Sequence, residues 1–396
     1  MFEHQAISRR GLLRGATCAA CLGAFERLAA APEAPATGPA AKPPPLPHGP
    51  LGRTKYPVTR VSFGAIRISD KSGVRVVKAA IDRGVNLIHT SASYAGGNSI
   101  RGVAELFKAP GGYRDRVFLC LKSYHPQRES EIDEMLATLG TDHADAVLTE
   151  FHEPSRERLD AIRRQQDGLR RKGKVRYTGF VCHGRPIEVM KMVAAQAPAY
   201  FDVALIAMAM GGGRPGRRGN RADAGGEAFA EALKALRACG VGVLSMKSGA
   251  KEAVGQGKEV FEPHVKSLLE AGADSVLTSI NSFQQVEMIA GLDLAASMSP
   301  GERQAAADFR DRRRGACMMC GQCRVACPRG LPVNDLMRIR LYLETYGWAD
   351  HAAAEFASLG VAPRRWLACG DCRACAAVCP AGLAGAATVR AMAGRF

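Results

Sequence analysis

Two patterns of apolar positions alternate between Thr59 and about Ala295. Short runs of consecutive apolar residues are followed by longer stretches in which apolar residues recur every three or four positions. The first pattern is typical of buried strands and the second of amphipathic helices. Their alternation predicts repeated βα units and therefore a parallel sheet.

The predicted strands number eight, and each is followed by a predicted helix. The strands are Arg60–Phe63, Asn86–Thr90, Val117–Leu121, Asp145–Glu150, Tyr177–Val181, Val203–Met208, Gly242–Met246 and Ser275–Ser279. The helices are Val74–Arg83, Ser99–Phe107, Glu129–Leu139, Arg156–Arg171, Ile187–Gln196, Glu227–Cys239, Glu262–Glu270 and Gln284–Leu294. Eight units in about 240 residues predict a (β/α)8 TIM barrel, which we assign to residues 51–298. An open doubly wound sheet would favour a glycine-rich first turn, which does not follow the first strand.

Cysteine spacing distinguishes the C-terminal region, residues 299–396, from the barrel. Eight of the thirteen cysteines form two runs of the same spacing, each ending in Cys-Pro: Cys317, Cys320, Cys323 and Cys327, then Cys369, Cys372, Cys375 and Cys379. Three closely spaced cysteines and a fourth before proline are the bacterial ferredoxin pattern. The runs predict ligands for two [4Fe-4S] clusters. Zinc sites and a disulfide framework are the alternatives. Zinc sites do not use a third regularly spaced cysteine, and four cysteines within eleven residues are too crowded to pair well as disulfides.

Helical spacing fills the segment between the cysteine runs. Apolar residues recur at this spacing from Asn334 to Tyr346 and again from Ala352 to Leu359. The region therefore resembles the helical ferredoxin modules of respiratory dehydrogenases, and we predict a small all-α domain. The resemblance implies transfer of single electrons to a protein partner.

The N-terminal segment has the composition of an export signal. Paired Arg9 and Arg10 precede a weakly apolar stretch and small residues that end near Ala31. Residues 1–31 thus resemble a twin-arginine signal, with a basic amphipathic helix as the alternative. Residues 32–50 are rich in proline and predict an extended linker, so the fold should begin near Leu51. The signal implies a translocase partner and a periplasmic or other extracytoplasmic location for a protein exported with its clusters in place. Lipid attachment at Cys21 is not favoured, because the residues before it match that signal poorly.

Charge and hydropathy exclude some partners. The chain carries a formal net charge of +16, but its basic residues are dispersed and not interleaved with aromatic residues, which argues against nucleic acid. An acidic protein or anionic substrate fits the charge better. With 47% apolar residues and no long uninterrupted apolar run, the sequence predicts a globular body without a membrane span.

The barrel resembles the aldo/keto reductases, in particular a branch with a C-terminal ferredoxin-like module. The resemblance rests on Gly84–Tyr94, Leu121–Lys122, Asp145–His152 and Lys172–Gly179. It implies an oxidoreductase that acts on a carbonyl or alcohol.

Four candidate catalytic residues follow from this resemblance. Tyr94 would protonate the carbonyl oxygen, Lys122 would lower the pKa of Tyr94, and His152 would orient the carbonyl. His89 stands where the family has an aspartate that pairs with the lysine. His183, after the fifth barrel strand, is a weaker candidate.

The cofactor positions match the family less well. Lys247, Ser279 and Asn281 are the candidate residues for a nicotinamide dinucleotide, NADP(H). Met208 replaces the aromatic residue that stacks on the nicotinamide ring in the family. The arginine- and glycine-rich insertion at residues 211–226 would lie over the barrel mouth, either as a solvated loop or as a lid for an anion.

The predicted function is an exported iron–sulfur oxidoreductase of aldo/keto reductase type, in which a barrel acting on a carbonyl or alcohol is connected to two clusters. One alternative is an NADPH-dependent reductase that retains a tightly bound cofactor. Another is a non-catalytic subunit for electron transfer or binding, since His89 and Met208 depart from the family pattern.

Overall fold

The computed structural model describes residues 46–68, 71–128, 130–151, 154–183, 185–196, 199–208, 227–313, 317, 321–345, 347–379 and 382–396. Residues Pro43–Phe396 form one compact unit. No helix among the described residues has both the length and the apolar character needed to cross a membrane.

A closed barrel of eight parallel strands forms the larger part of the molecule. Its strands are β3 Val61–Gly64, β4 Leu87–Thr90, β5 Phe118–Ser123, β6 Ala144–Glu150, β7 Val175–Cys182, β8 Val203–Ala207, β9 Gly242–Met246 and β10 Ser275–Thr278. Each strand pairs with its neighbours in sequence, and β10 closes the barrel by pairing with β3 and β9. The predicted (β/α)8 barrel is confirmed, and every predicted strand is present.

Helices cover the outside of this barrel. They are α1 Lys71–Asp82, α2 Asn98–Lys108, α3 Ser130–Leu139, α4 Arg156–Arg171, α5 Pro186–Ala194, α6 Glu227–Ala238, α7 Ala250–Val254, α8 Lys258–Glu270 and α9 Phe283–Ala290. One apolar layer lies between strands and helices, and a second, including Leu87, Phe118 and Leu244, fills the barrel interior. Because successive strand residues face opposite sides, the strands supply both layers. Such strands are apolar on both faces over most of their length, which made them visible in the sequence.

A hairpin closes the N-terminal end of the barrel. It consists of β1 His48–Pro50 and β2 Pro57–Thr59, paired antiparallel. Leu51 in its turn is fully buried with the interior residues of the barrel, and Leu46 before it is also buried. The fold therefore begins earlier than the expected start at Leu51. The proline-rich composition suggested an extended linker, whereas the end of that segment is held by strand pairing and apolar contact.

The C-terminal part is built from short helices. They are α10 Pro300–Arg312, α11 Gln322–Val325, α12 Val333–Arg340, α13 Ala349–Ser358, α14 Pro363–Leu367, α15 Ala374–Val378 and α16 Ala386–Ala393. Helix α10 packs on α8, and its N-terminus is capped by Ser299 and Glu302 in a capping box. A turn of π-helix, Leu341–Thr345, follows α12. We call residues 317–396 the module. Its ferredoxin-like character stays a prediction, because helices alone do not identify it.

Candidate active site and cysteine clusters

A cavity of about 730 Å³ lies at the C-terminal ends of the barrel strands, the face on which (β/α)8 enzymes place their active sites. Barrel and module residues both line it. The barrel contributes strand ends and the loops after them, including His89, Tyr94 and Lys122, and the module contributes Arg338 and Tyr342. Three predicted catalytic residues therefore share one cavity. His152 lies outside the described residues.

Tyr94 is carried by a tight turn after β4. The turn Tyr94–Gly97 contains three successive residues with positive φ: Ala95 at 50°, Gly96 at 61° and Gly97 at 84°. Two of the three are glycines, which adopt this conformation without a steric penalty, whereas Ala95 is strained there. The turn connects β4 directly to α2 and leaves the Tyr94 side chain at the cavity.

Lys122 forms an ion pair that sequence reasoning missed. Its Nζ atom lies 2.6 Å from Oε1 of Glu150, at the end of the adjacent strand β6. The two side chains are 5% and 19% exposed, so solvent screens the pair weakly. Glu150 thus provides the carboxylate that the family places at the position of His89. The available signal was an acidic residue at the C-terminal end of β6, next to the strand that ends in Lys122 and Ser123.

The surroundings of Lys122 keep its ammonium group charged. Burial alone would lower the pKa of Lys122, but Tyr124, Glu150 and Tyr94 together raise it above the usual value. Its Nζ atom also lies 4.1 Å from the centre of the Tyr124 ring, a cation–π contact. Lys122 is therefore a fixed positive charge in the cavity.

His89 is a neutral group in this site. Its side chain is buried at the end of β4, and burial, followed by the charge of Lys122, lowers its pKa to about 3. The Nε2 atom has no hydrogen-bond partner among the described residues. The ring meets that of Tyr94 edge-on, with centroids 5.8 Å apart. An unpartnered buried nitrogen beside the cavity can bind a polar atom of a substrate.

Tyr94 is a weak acid in this arrangement. Burial raises its pKa, and the opposing effect of Lys122 does not compensate for it. The charge of Lys122 is partly neutralised by Glu150, which explains why its effect on Tyr94 is limited. His183 also approaches this carboxylate, with Nδ1 4.0 Å from Oε1 of Glu150.

The predicted cofactor residues lie in different places. Lys247 and Ser279 line the cavity, on the loops after β9 and β10. Asn281 is exposed, is not among the described residues that line the cavity, and its backbone N–H donates to Gln285. Met208 is fully buried in the apolar layer between strands and helices.

Lys247 makes a contact that sequence reasoning did not anticipate. Its Nζ atom lies 5.5 Å from the centre of the Tyr342 ring, and Nζ of Lys251 lies 4.8 Å from the ring of Trp348. Both aromatic residues belong to the module, whose approach to the barrel no local pattern revealed. The module thus contacts the loop on which a dinucleotide phosphate was expected.

Six of the eight cysteines of the two runs belong to or pack against one apolar cluster in the module, and Cys372 is not among them. Cys323, Cys369 and Cys375 are buried, and Cys317, Cys327 and Cys379 pack against them. Cys320 lies outside the described residues. No three His, Cys, Asp or Glu side chains in the described ranges have the geometry of a metal site.

Two further observations test whether these cysteines fit iron–sulfur clusters. Cys327 of the first run lies near two thiols of the second run, those of Cys369 and Cys375. Burial raises the pKa of both thiols, and the nearby Cys327 adds to the effect. Backbone N–H groups also point at sulfur, from Leu331 to Cys327 at 3.4 Å and from Leu383 to Cys379 at 3.2 Å. Donors of this kind stabilise thiolate ligands and tune cluster potentials. These two features favour the predicted clusters, whose ligation by the cysteines stays a prediction.

Part of the barrel is similar in sequence to a known family. Residues 60–210, which span β3 to β8, match the Aldo/keto reductase family model. Together with the closed barrel and the position of the cavity, this match makes the barrel aldo/keto reductase-like.

Among solved structures, aldo-keto reductase AKR11C1 from Bacillus halodurans in its holo form is similar, with 16% identity over 67% of this chain and 96% of that chain, and a TM-score of 0.52. An aldo/keto reductase from Klebsiella pneumoniae in complex with NADP and acetate is also similar, with 17% identity over 67% of this chain and 96% of that chain, and a TM-score of 0.52. At this identity the similarity establishes the fold alone. No curated protein matches the chain.

Proposed function

We propose that this protein is an iron–sulfur oxidoreductase that interconverts a carbonyl and an alcohol in the barrel cavity and exchanges single electrons through two [4Fe-4S] clusters in the module. The observation that carries the proposal is one cavity lined by Tyr94, Lys122 and His89 on one side and by the cysteine-bearing module on the other. The proposal includes a one-electron protein partner.

The side chains in the cavity have complementary tasks. Lys122 supplies a fixed positive charge that stabilises negative charge developing on a substrate oxygen, and Glu150 keeps that charge in place. His89, neutral because of its low pKa, binds a polar substrate atom through Nε2. Tyr94 donates a hydrogen bond to the substrate oxygen and positions it as the carbonyl carbon is reduced.

The module cysteines would hold the clusters. Each [4Fe-4S] cluster accepts or releases one electron at a potential set by its surroundings. Cys327, Cys369, Cys372 and Cys375 are suited to the cluster shared between the two runs. The buried position of Cys369 and Cys375 shields that cluster from solvent.

Anaerobic purification tests the cluster part of the proposal. We expect about eight iron and eight sulfide ions per chain, and a low-temperature EPR signal after reduction. Zinc without sulfide would contradict it. The control is the Cys239→Ala variant, because Cys239 lies outside the two runs, where its thiol contacts the Ala194 carbonyl, and it should retain the full iron content.

Reduction of pyridine-3-carbaldehyde, with product detection by chromatography, tests the barrel part. Reduced methyl viologen and NADPH are offered as separate reductants. Tyr94→Phe should lower turnover by about 10²- to 10³-fold, the usual cost of removing a hydrogen-bond donor to the reacting oxygen. If the wild-type protein shows no turnover with either reductant, the non-catalytic alternative, in which the barrel only binds a partner, is supported.

A bound dinucleotide is the second candidate. The NADP complex of the Klebsiella pneumoniae reductase, and the cavity position of Lys247 and Ser279, favour it. Mass analysis of small molecules released by denaturing the purified protein distinguishes the two. NADP in about equal amount to protein would make the nicotinamide the hydride donor.

The proposal also includes an extracytoplasmic location for the protein. Residues 1–31 would direct export of the folded, cluster-loaded protein by the twin-arginine translocase. Replacing Arg9 and Arg10 by lysine in the full chain should retain the protein in the cytoplasm. Cell fractionation with blotting measures this, and unchanged export of the variant would contradict the assignment.

A further inference from the structure

Tyr342 belongs to the module but lines the barrel cavity. It lies in the turn of π-helix after α12, is 2% exposed, and shares the cavity with Tyr94. The two tyrosines are close enough for their charges to interact. A hydroxyl-bearing side chain has thus been placed beside the barrel residues by a different part of the chain.

Two cations and an aromatic ring hold Tyr342 in place. The Lys247 ammonium lies 5.5 Å from the centre of its ring, and the Arg338 guanidinium lies 5.7 Å away. The ring of Trp348 stacks on it with centroids 5.7 Å apart and planes 19° apart. These contacts come from the barrel, from α12 and from the start of α13, so Tyr342 is fixed from three directions.

Arg338 is itself held firmly. It pairs with Glu355 at 2.7 Å and with Asp335 at 3.2 Å, and its side chain is 24% exposed. A guanidinium held by two carboxylates keeps its orientation beside the Tyr342 ring. Its contact with the tyrosine is therefore part of a fixed network.

The pKa values of the two tyrosines are shifted in opposite directions. Burial alone would raise the pKa of Tyr342, but Lys247 and Arg338 together lower it, with Glu355 opposing them. Burial raises the pKa of Tyr94. Because the phenolate form is stabilised by neighbouring cations, Tyr342 releases its proton more readily than Tyr94 does.

We propose that Tyr342 is the proton donor for the barrel reaction, with Tyr94 positioning the substrate oxygen. The proposal rests on the proposed carbonyl reduction, with a reduced nicotinamide or another hydride donor as the reductant. As hydride reaches the carbonyl carbon, the carbon–oxygen π bond breaks, the Tyr342 O–H bond breaks, and an O–H bond forms on the substrate. Lys247 and Arg338 then stabilise the Tyr342 phenolate until it takes up a proton from solvent.

The competing interpretation is that Tyr342 only anchors the module. Tyr342→Phe separates the two roles, because phenylalanine retains the ring, the stacking on Trp348 and the contact with Lys247, and loses only the hydroxyl. Tyr200→Phe is the matched control. It also removes a tyrosine hydroxyl, one that donates to Asp167 at 2.8 Å before strand β8, away from the cavity.

The first measurement is the pH dependence of pyridine-3-carbaldehyde reduction by the full, cluster-loaded protein, with NADPH and with reduced viologen. Tyr342→Phe should lower kcat by about 10²-fold or more at neutral pH and remove the alkaline limb of the profile, with little change in KM. Tyr200→Phe should match the wild type. A Tyr342→Phe variant with unchanged kcat and pH profile would overturn the proposal while leaving the proposed function intact.

The second measurement does not depend on turnover. A difference absorption titration between wild type and Tyr342→Phe should show one tyrosine that ionises below the usual range of about 10. If the wild type reduces no aldehyde, the proposed function fails, and this titration still decides whether Tyr342 is an acid–base group. A Tyr342 that ionises at or above the usual range would overturn it.

Discussion

The cavity is lined on one side by barrel residues such as Lys122, the barrel wall, and on the other by module residues such as Tyr342, the module wall. The two walls are supported in different ways. The barrel wall stands on strand ends within a closed sheet, between two extensive apolar layers. The module wall stands on helices of four to ten residues with two small apolar clusters, one of which contains the cysteines. Short helices bury little apolar surface, so the module needs cross-links that the barrel does not. We therefore expect the geometry of Tyr342 to depend on the proposed clusters and that of Lys122 to be independent of them.

Removal of one cluster ligand should give the largest effect. In Cys369→Ala the module is expected to lose a cluster and become sensitive to proteases, since bound metal and folding of small domains are coupled. The barrel should remain folded, as measured by limited proteolysis with mass identification of a protected fragment that ends near residue 313. Cys239→Ala is the control, and loss of barrel protection together with the module would contradict the proposed independence of the barrel wall.

The buried ion pair at the barrel wall should give the next largest effect. Glu150→Ala leaves the Lys122 ammonium buried without a carboxylate, which should cost about 3–5 kcal/mol in free energy of unfolding. Chemical denaturation of the cluster-loaded protein measures this. The double variant Glu150→Ala with Lys122→Met should recover much of the loss, because no unpaired charge remains. Equal stability of the single and double variants would contradict the pairing.

Acidic pH should lower the free energy of unfolding, because His89 is buried in its neutral form in the barrel wall. Its pKa of about 3 in the folded protein is lower than the 6.5 of an unperturbed histidine, so the unfolded chain binds the extra proton first. The contribution of neutral His89 to the free energy of unfolding is fully present above pH 6.5 and is lost as the pH decreases towards 3. At about 1.36 kcal/mol per pH unit, the loss is about 2 kcal/mol at pH 5. Denaturation of wild type and His89→Phe at both pH values measures the difference. Parallel loss of stability in the two proteins would show that other groups cause it.

The apolar contact between the walls should give the smallest effect. Ile66, after β3, packs against the module cluster of Ile339, Tyr342 and Trp348. Ile66→Ala removes part of a half-buried contact, for which we expect about 1 kcal/mol. The rate of proteolysis in the module measures it. Val325→Ala, at a position that is 64% exposed, is the control and should change nothing.

Much of the barrel wall was predictable from the sequence. All eight strands followed from apolar runs, and His89, Tyr94 and Lys122 lie at the cavity because strand ends of a closed barrel meet at one face. Glu150 was not recognised as the partner of Lys122, because pairing across β5 and β6 depends on register and not on either strand alone. The burial of Leu51 under the barrel was missed for a related reason, since proline-rich composition says nothing about distant contacts.

The sequence by itself determined the periodicities, the cysteine spacing and the order of the polar residues along the chain, all of which are local properties. Only the tertiary structure decided that Glu150 pairs with Lys122 and that Tyr342 enters the cavity of the barrel. Tyr342 is separated from Tyr94 by more than two hundred residues, and their proximity depends on how the module packs over the barrel mouth. Such contacts depend on the summed packing of many side chains, which no single segment of the sequence encodes.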